Sequence, residues 1–190
     1  GHIARLCGIA RPAIGVVLNV GSAHLGEFGS AEVIATSKGE LVAALPAGAL
    51  LVLGSSTPVR DGDLLARPRA DPTVLANRGV AGIDGTISTA VGAALAHQGA
   101  GGGPAFALMG DLTFLHDLTG LLPGAGEPRP DLTVVVPDND GGGIFAQLEP
   151  GQPQYAASYR RVFGTPHGRD LVAVARSLGW AATAVSDPTQ

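Results

Sequence analysis

Two short polar segments follow apolar runs in this sequence, and together they could hold a metal-bound phosphate. Gly110 to Leu112 comes directly after the run Ala105 to Met109, and Asn139 to Gly143 follows the run Leu132 to Val136. If both runs are neighbouring parallel strands, the two segments lie at the carboxyl edge of one sheet, where ligands bind. An aspartate carboxylate and an asparagine amide then supply the oxygen ligands that Mg²⁺ prefers, and phosphate oxygens commonly complete its shell. The three consecutive glycines of the second segment would let its backbone approach a diphosphate closely.

The same residues also have an ordinary structural explanation. Asp111 is a common residue type at a helix N-terminus, and Asn139 to Gly143 has the composition of a turn. Spacing alone leaves the ligand-binding and the structural interpretation equally open.

Short apolar runs alternate with helical patterns, which predicts an α/β fold with a parallel sheet covered by helices on both faces. Strands are expected at Ile14 to Asn19, Leu50 to Leu53, Thr73 to Ala76, Ala105 to Met109, Leu132 to Val136 and, at an edge, near Trp180 to Val185. Helices are expected at Ala31 to Leu45, Ile87 to His97 and Leu171 to Leu178. Gly99 to Pro104 and Pro123 to Pro130 are predicted loops, and Glu149 to Ser158 is predicted to be mobile or ordered only by a partner or ligand.

The composition excludes several classes of protein. The chain has 190 residues, 45% hydrophobic and 15% charged, which is enough apolar material for one buried core. Its net charge of -4 gives no bulk attraction for nucleic acid or anionic membranes. The longest apolar stretch, Leu41 to Leu53, is interrupted by Pro46 and Gly48 and is too short to span a membrane. The single cysteine, Cys7, allows no internal disulfide, so we expect a cytoplasmic protein.

Four phrases, in this order, closely resemble the cofactor-binding C-terminal domain of the 2-succinyl-5-enolpyruvyl-6-hydroxy-3-cyclohexene-1-carboxylate synthases of menaquinone biosynthesis. They are GSSTPVRD (54–61), LANRGVAGIDGTISTA (75–90), GDLTFLHDL (110–118) and DNDGGGIF (138–145). The family's thiamine diphosphate signature begins Gly-Asp and ends in Asn, and Asp111 and Asn139 match it with a separation of 28 residues. The resemblance extends over residues 49 to 187, and we predict a thiamine diphosphate-binding domain at residues 49–190.

The resemblance implies a site for thiamine diphosphate and Mg²⁺ or Mn²⁺. Its metal ligands would be the side chains of Asp111 and Asn139 and the carbonyl of Gly141. The other cofactor contacts would be Leu112, Gly142 and an apolar wall of Ile144, Phe145 and Leu148. Ser56, Arg60 and Arg78 match positions that contact the substrates, 2-oxoglutarate and isochorismate, whose carboxylates suit a guanidinium group.

The reaction implied by the resemblance is a carboligation of the transferase class, in which 2-oxoglutarate is decarboxylated and the product is added to isochorismate. In this family a glutamate on a separate pyrimidine-binding domain, normally from the facing subunit of a homodimer, activates the cofactor. No such domain is expected in these residues, so the isolated chain is expected to be inactive. Asp138 stands where many relatives have Asn, and Pro137 stands where an apolar strand residue is usual and is expected to mark the end of the strand.

Arg5 to Gly48 resembles a different family, the central domain of the Mur ligase that adds D-alanyl-D-alanine to the muramyl tripeptide. The resemblance includes Asn19, His24 and Lys38, and it implies a metal-binding histidine and a carbamylated lysine. The sequence contains no Gly-Lys-Ser/Thr phosphate loop for ATP, so His24 and Lys38 are expected to be ordinary loop and helix residues.

We therefore predict a chimera, with a Mur-ligase-like segment at residues 1–48 and a seam near Leu45 to Leu51. The predicted helix Ala31 to Leu45 would precede the first strand of the thiamine diphosphate domain. Two alternatives stay open: a fragment of the ATP-dependent ligase, and a folded scaffold that binds no cofactor.

Overall fold

Six parallel strands in the described part of the chain form one sheet, in the order β3-β2-β4-β5-β1-β6. The computed structural model describes residues 14–18, 43–66, 69–80 and 82–185. The strands are β1 (Ile14–Leu18), β2 (Leu50–Leu53), β3 (Thr73–Ala76), β4 (Ala105–Leu108), β5 (Leu132–Asp138) and β6 (Ala182–Val185). Each neighbouring pair is parallel, as the alternation of apolar runs and helical patterns predicted.

Helices cover both faces of the sheet, which confirms the predicted α/β class. They are α1 (Thr57–Leu65), α2 (Thr86–Gly99), α3 (Asp111–His116), α4 (Ala156–Tyr159) and α5 (Leu171–Ser177). One buried core joins alternate strand residues to α2, α3 and α5, and it includes Ile87, Phe114 and Leu171. A second core on the opposite face contains Leu51, Leu53 and Leu108, against which Val59 of α1 packs.

The strand order reverses between β2 and β4. The chain passes from β2 through α1 to β3 on one side of β2, and then through α2 to β4 on the other side. The carboxyl ends of β2 and β4 therefore form a topological switch point, the position where ligands bind to open parallel sheets. Gly54 lies at this switch point, and a Cβ atom there would lie 2.9 Å from Cβ of Met109. Glycine allows the two strand ends to approach this closely.

The structure differs from the sequence predictions in three places. Strand β5 continues through Pro137 to Asp138 and does not end at the proline. Val135 O accepts a hydrogen bond from Met109 N, so the backbone polar groups of Val135 face β4. Pro137 is two residues further along β5 and faces the same side, beyond the last residue of β4. Its missing N–H therefore removes no bond from the ladder between β5 and β1.

The other two differences concern helical segments. Helices α1, α3 and α4 were not predicted from the sequence. The segment from Glu149 to Ser158, predicted to be mobile or ordered only by a partner or ligand, contains short 3₁₀ turns at Glu149–Gly151 and Pro153–Tyr155 and the start of α4. Residues 43 and 44 are helical, whereas the rest of the predicted helix Ala31 to Leu45 lies outside the described residues, apart from Leu45 itself.

Candidate cofactor and metal site

Asp111 joins the loops that follow β4 and β5. It is the first residue of α3, after Gly110 at the N-cap, and only 2% of its surface is exposed. Its Oδ1 accepts a hydrogen bond from Leu112 N (2.6 Å). Its Oδ2 accepts from Gly141 N (2.8 Å) and from Asn139 N (3.2 Å). Since β4 and β5 are neighbours, the two predicted segments do meet at one edge of the sheet.

The carboxamide of Asn139 faces this carboxylate. One of its terminal atoms lies 3.3 Å from Asp111 Oδ2 and 2.7 Å from the carbonyl oxygen of Gly141. If this atom is the amide nitrogen, it donates a hydrogen bond to both oxygens. If it is the amide oxygen, three oxygens converge without a proton between them, and a cation is needed to hold them together.

The second orientation fits Mg²⁺. Ligands at 2.0–2.1 Å in an octahedral shell lie about 2.9 Å from their neighbours. The separations of 2.7 and 3.3 Å around the Asn139 atom bracket this value. The donor set of one carboxylate, one amide and one carbonyl oxygen is also of the hard type that Mg²⁺ or Mn²⁺ takes, so the residues present fit the metal that the resemblance implies.

The glycines of the second loop make room for the protein chain itself. A Cβ atom at Gly141 would collide with the carbonyl oxygen of Gly164, and one at Gly142 would collide with that of Phe163. Gly141 also has a φ of +138°, which side chains rarely allow, and its neighbour Gly142 donates a hydrogen bond to Gly164 O at 2.8 Å. The glycines are therefore required by the packing of this loop against the segment around residues 163 and 164.

Asp138 and His167 extend the polar cluster around Asp111. His167 Nε2 lies 3.3 Å from Asp111 Oδ2 and 3.4 Å from Asp138 Oδ1. Burial raises the pKa of Asp138, and the adjacent carboxylate of Asp111 shifts the pKa in the same direction, while the N–H of Asp140 and the His167 ring oppose the shift. Two carboxylates close together favour either a bound proton or a bound cation.

The predicted apolar wall lies at the rim of the site. Ile144 and Phe145 belong to a 3₁₀ turn, Gly143–Gln147, and Leu148 follows it. The Phe145 ring contacts Phe163 with a centroid separation of 5.5 Å. Phe145 and Leu148 nevertheless expose about two fifths of their surface, at 36% and 41%. Leu112 is half-buried in the first turn of α3.

The predicted substrate residues lie at the same edge of the sheet but on other strands. Ser56 follows β2, Arg60 lies in α1, and Arg78 follows β3. Along this edge Arg78 comes first, then Ser56, then Asp111 and then Asn139, because their strands are ordered β3-β2-β4-β5. Strands spaced by about 4.8 Å place Arg78 and Asn139 on strands roughly 14 Å apart, so these residues could contact different parts of an extended ligand.

Sequence reasoning missed Ser55, which lies at the switch point between β2 and β4. Its side chain is 4% exposed, and its Oγ has no hydrogen-bond partner among the described residues. The next residue, Ser56, has a φ of 75° at the N-cap of α1, in the region that non-glycine residues rarely adopt. The signal in the sequence was the pair of serines directly ahead of Thr57 and Pro58, which are typical of a helix start.

His167 and Asp140 were also missed, because nothing in their spacing links them to Asp111. Asn19, His24 and Lys38, on which the ligase resemblance depends, lie outside the described residues, as does Cys7. Among the residues that the structure does describe, no helix is both long enough and apolar enough to cross a bilayer.

Comparison with known proteins yields two families. Residues 1–70 match the Mur ligase middle domain, and residues 62–190 match the C-terminal TPP-binding domain of thiamine pyrophosphate enzymes, so the two matches overlap at residues 62–70. The predicted boundary between residues 48 and 49 therefore stays a prediction. The chimeric resemblance recognised in the sequence agrees with both matches.

Curated relatives of this chain are named 2-succinyl-5-enolpyruvyl-6-hydroxy-3-cyclohexene-1-carboxylate synthase. The protein from Saccharopolyspora erythraea is 58% identical over 146 residues, which is 77% of this chain and 26% of the relative. The protein from Nocardia farcinica is 65% identical over 132 residues, or 69% of this chain and 24% of the relative. The protein from Thermobifida fusca is 58% identical over 147 residues, which is 77% of this chain and 26% of the relative.

The chain thus spans about a quarter of the length of these relatives. The domain match extends over more than half of the chain and includes both loops that meet at Asp111. By this match the chain belongs to the thiamine pyrophosphate enzymes, of which it carries the C-terminal TPP-binding domain.

Proposed function

We propose that residues 49–190 form the cofactor-binding part of a synthase that decarboxylates 2-oxoglutarate and adds the product to isochorismate. The observation that carries the proposal is the convergence of Asp111, Asn139 and the Gly141 carbonyl at the carboxyl edge of the sheet. Support for the reaction comes from the name shared by relatives that are 58–65% identical to this chain.

When bound, thiamine diphosphate would supply a thiazolium ring that takes up the electron pair released as a 2-oxo acid loses CO₂. Asp111, Asn139 and Gly141 would hold the divalent cation that neutralises the diphosphate, with Mg²⁺ as our first choice and Mn²⁺ as an equivalent. The buried Ser55 hydroxyl has no hydrogen-bond partner among the described residues and lies one strand away, at the switch point. It would accept a hydrogen bond from the ligand or donate one to it.

Arg60 and Arg78 would bind and orient the substrate carboxylates. Both side chains are exposed at the edge of the sheet, and neither makes a hydrogen bond or ion pair with another described residue. A guanidinium group presents paired N–H donors that match the two oxygens of a carboxylate. Ser56, at the N-cap of α1 and next to Arg78 along the sheet edge, would add a hydroxyl contact to the same substrates.

The exposed apolar rim fits a partner domain. Phe145 and Leu148 would be covered by a pyrimidine-binding domain from a second subunit, which would also bring the activating glutamate. The same side chains would then exclude water from the reacting centre. Adding this domain in trans should tighten cofactor binding, and no change on its addition would count against this part of the proposal.

Titration calorimetry tests cofactor binding directly. We expect thiamine diphosphate to bind with micromolar to millimolar affinity when Mg²⁺ is present, about -8 to -4 kcal/mol, and to bind at least about tenfold more weakly in EDTA. Asp111→Asn should abolish the Mg²⁺ dependence, whereas Asp131→Asn, an exposed aspartate ahead of β5, should leave it intact. A well-folded chain that gives no heat under either condition would instead be the inert scaffold.

The match of residues 1–70 to the Mur ligase middle domain favours one competing function, that of a ligase fragment. ATP in place of thiamine diphosphate provides the discriminating arm of the titration. ATP binding that is lost in His24→Ala would support the ligase function. A chain that does not bind ATP would rule out this competing function.

A further inference from the structure

His167 lies between two carboxylates at the candidate metal site, and its role there was not predicted. Its side chain is 9% exposed. Nε2 is 3.3 Å from Asp111 Oδ2 and 3.4 Å from Asp138 Oδ1. Of these two contacts, only the one to Asp111 has the geometry of a hydrogen bond, and Asp138 Oδ1 lies beside it as a charge contact.

The hydrogen bond at Nδ1 determines which ring nitrogen of His167 carries the proton. Nδ1 accepts a hydrogen bond from Arg169 N at 3.0 Å, so a neutral ring must be protonated at Nε2. Nε2–H therefore donates to the Asp111 carboxylate, and the ring cannot present a lone pair to a cation at Nε2 without losing this proton.

The backbone on either side holds the ring in place. His167 N and Gly168 N both donate to Asp140 Oδ1, at 3.0 and 2.7 Å. Asp140 is in the glycine-rich loop after β5, and its own N–H donates to Asp138 Oδ1 at 2.9 Å. The segment around residue 167 is thus fastened to the same loop that supplies Asn139 and Gly141.

We infer that His167 is a positioning residue for the divalent cation: its Nε2–H keeps the Asp111 carboxylate oriented beside Asp138, and His167 does not itself bind the metal. The inference rests on the proposed function, since it concerns the cation that would hold the diphosphate. A hydrogen-bonding group behind a metal ligand commonly changes metal affinity by 10–100-fold.

Two substitutions separate the roles of the ring nitrogens. His167→Gln places an amide N–H near the position of Nε2 and should keep the donor. His167→Asn is shorter, reaches only the position of Nδ1 and should lose it. We expect His167→Asn to weaken Mn²⁺ binding to the full chain by about 10–100-fold and His167→Gln to retain it within about threefold. His116→Asn, at an exposed histidine in the last turn of α3, is the matched control.

The measurement is the concentration of free Mn²⁺, followed by electron paramagnetic resonance at saturating thiamine diphosphate, with melting temperatures recorded for each variant. Equal Mn²⁺ affinity in the wild-type chain and His167→Asn would overturn the inference. A wild-type chain that binds no Mn²⁺ would instead overturn the proposed function, and this inference would fall with it.

Nitrogen NMR of the histidine rings provides a second readout that does not depend on a stable variant. In the wild-type chain His167 should be the Nε2–H tautomer both without metal and with Mg²⁺ and thiamine diphosphate bound. Loss of the Nε2 proton on addition of Mg²⁺ would make His167 a metal ligand and contradict its role as a positioning residue.

Discussion

Asp111 has two roles in the structure, and its position in the sequence alone does not show which of them it has. It lies in the first turn of α3, as a structural aspartate would, and it also accepts hydrogen bonds from the backbone of Asn139 and Gly141. Spacing predicted that the two loops could meet, because parallel neighbours end at the same edge. Spacing could not predict the 3.3 Å approach of the Asn139 carboxamide to the carboxylate, which depends on the conformation of the glycine-rich loop.

At the residue scale, Asp138→Asn should stabilise the metal-free chain. Burial and the Asp111 carboxylate raise the pKa of Asp138, so the folded state binds a proton more strongly than the unfolded state does. Stability therefore falls as the pH rises from about 4 through the raised pKa. We expect the melting temperature of Asp138→Asn to match that of the wild-type chain near pH 4 and to exceed it at pH 7.

Melting curves in EDTA between pH 4 and 7 provide this measurement. Adding Mg²⁺ with thiamine diphosphate should reduce the difference in melting temperature between Asp138→Asn and the wild-type chain, since a cation stabilises the ionised carboxylates. A melting-temperature difference that does not change between pH 4 and 7 would show that folding does not disfavour the ionised form of Asp138.

At the scale of elements, the sequence predicted the strands better than the helices. Continuous apolar runs such as Leu50–Leu53 become fully buried central strands, so their composition matches their environment. Helix α1 has weak signals, because Pro58, Gly62 and two aspartates interrupt its apolar pattern. It forms because Val59 packs on the sheet, and at Gly62 a Cβ would lie 3.0 Å from Leu53. Such a contact is tertiary and leaves no periodic signal.

The start of α2 depends on a carboxylate from a distant element. Asp117 is 7% exposed, and it accepts hydrogen bonds from Ser88 N at 2.6 Å and from Ser88 Oγ at 3.0 Å. Asp117→Ala would leave a helix N–H and a hydroxyl without partners, and we expect it to cost about 1–3 kcal/mol of unfolding free energy. Denaturant titration measures this loss, with Asp131→Ala as an exposed control expected to change stability by less than about 0.5 kcal/mol. Equal effects of the two variants would refute the capping role.

At the scale of the whole molecule, β1 connects the segment that resembles Mur ligases to the thiamine diphosphate sheet. It pairs with β5 from Val134 to Asp138 and with β6 from Ala182 to Val185. In the described part of the chain β6 pairs with β1 alone, so β1 attaches β6 to the sheet. The register also places Leu18 beside Asp138, directly before the candidate metal ligand Asn139.

Val16→Pro tests this connection, because proline removes a ladder N–H in the middle of β1. We expect amide hydrogen exchange of Ala182–Val185 to accelerate by at least about tenfold, or ~1.4 kcal/mol of local opening free energy, with a smaller effect in β5. Val16→Ala keeps the N–H and should preserve most of the protection. Unchanged exchange in Val16→Pro would show that β6 is held without β1.

The central claim is that Asp111, Asn139 and the Gly141 carbonyl bind one divalent cation, which in turn holds the diphosphate of the cofactor. Crystals of the chain grown with Mn²⁺ and thiamine diphosphate test it most directly, because Mn²⁺ gives an anomalous signal. We predict one strong peak about 2.1 Å from an oxygen of each of the three residues, with the carboxamide oxygen of Asn139 facing the ion. A peak bound elsewhere, or an Asn139 nitrogen donating to Asp111 and Gly141 while the cofactor is present, would contradict the claim.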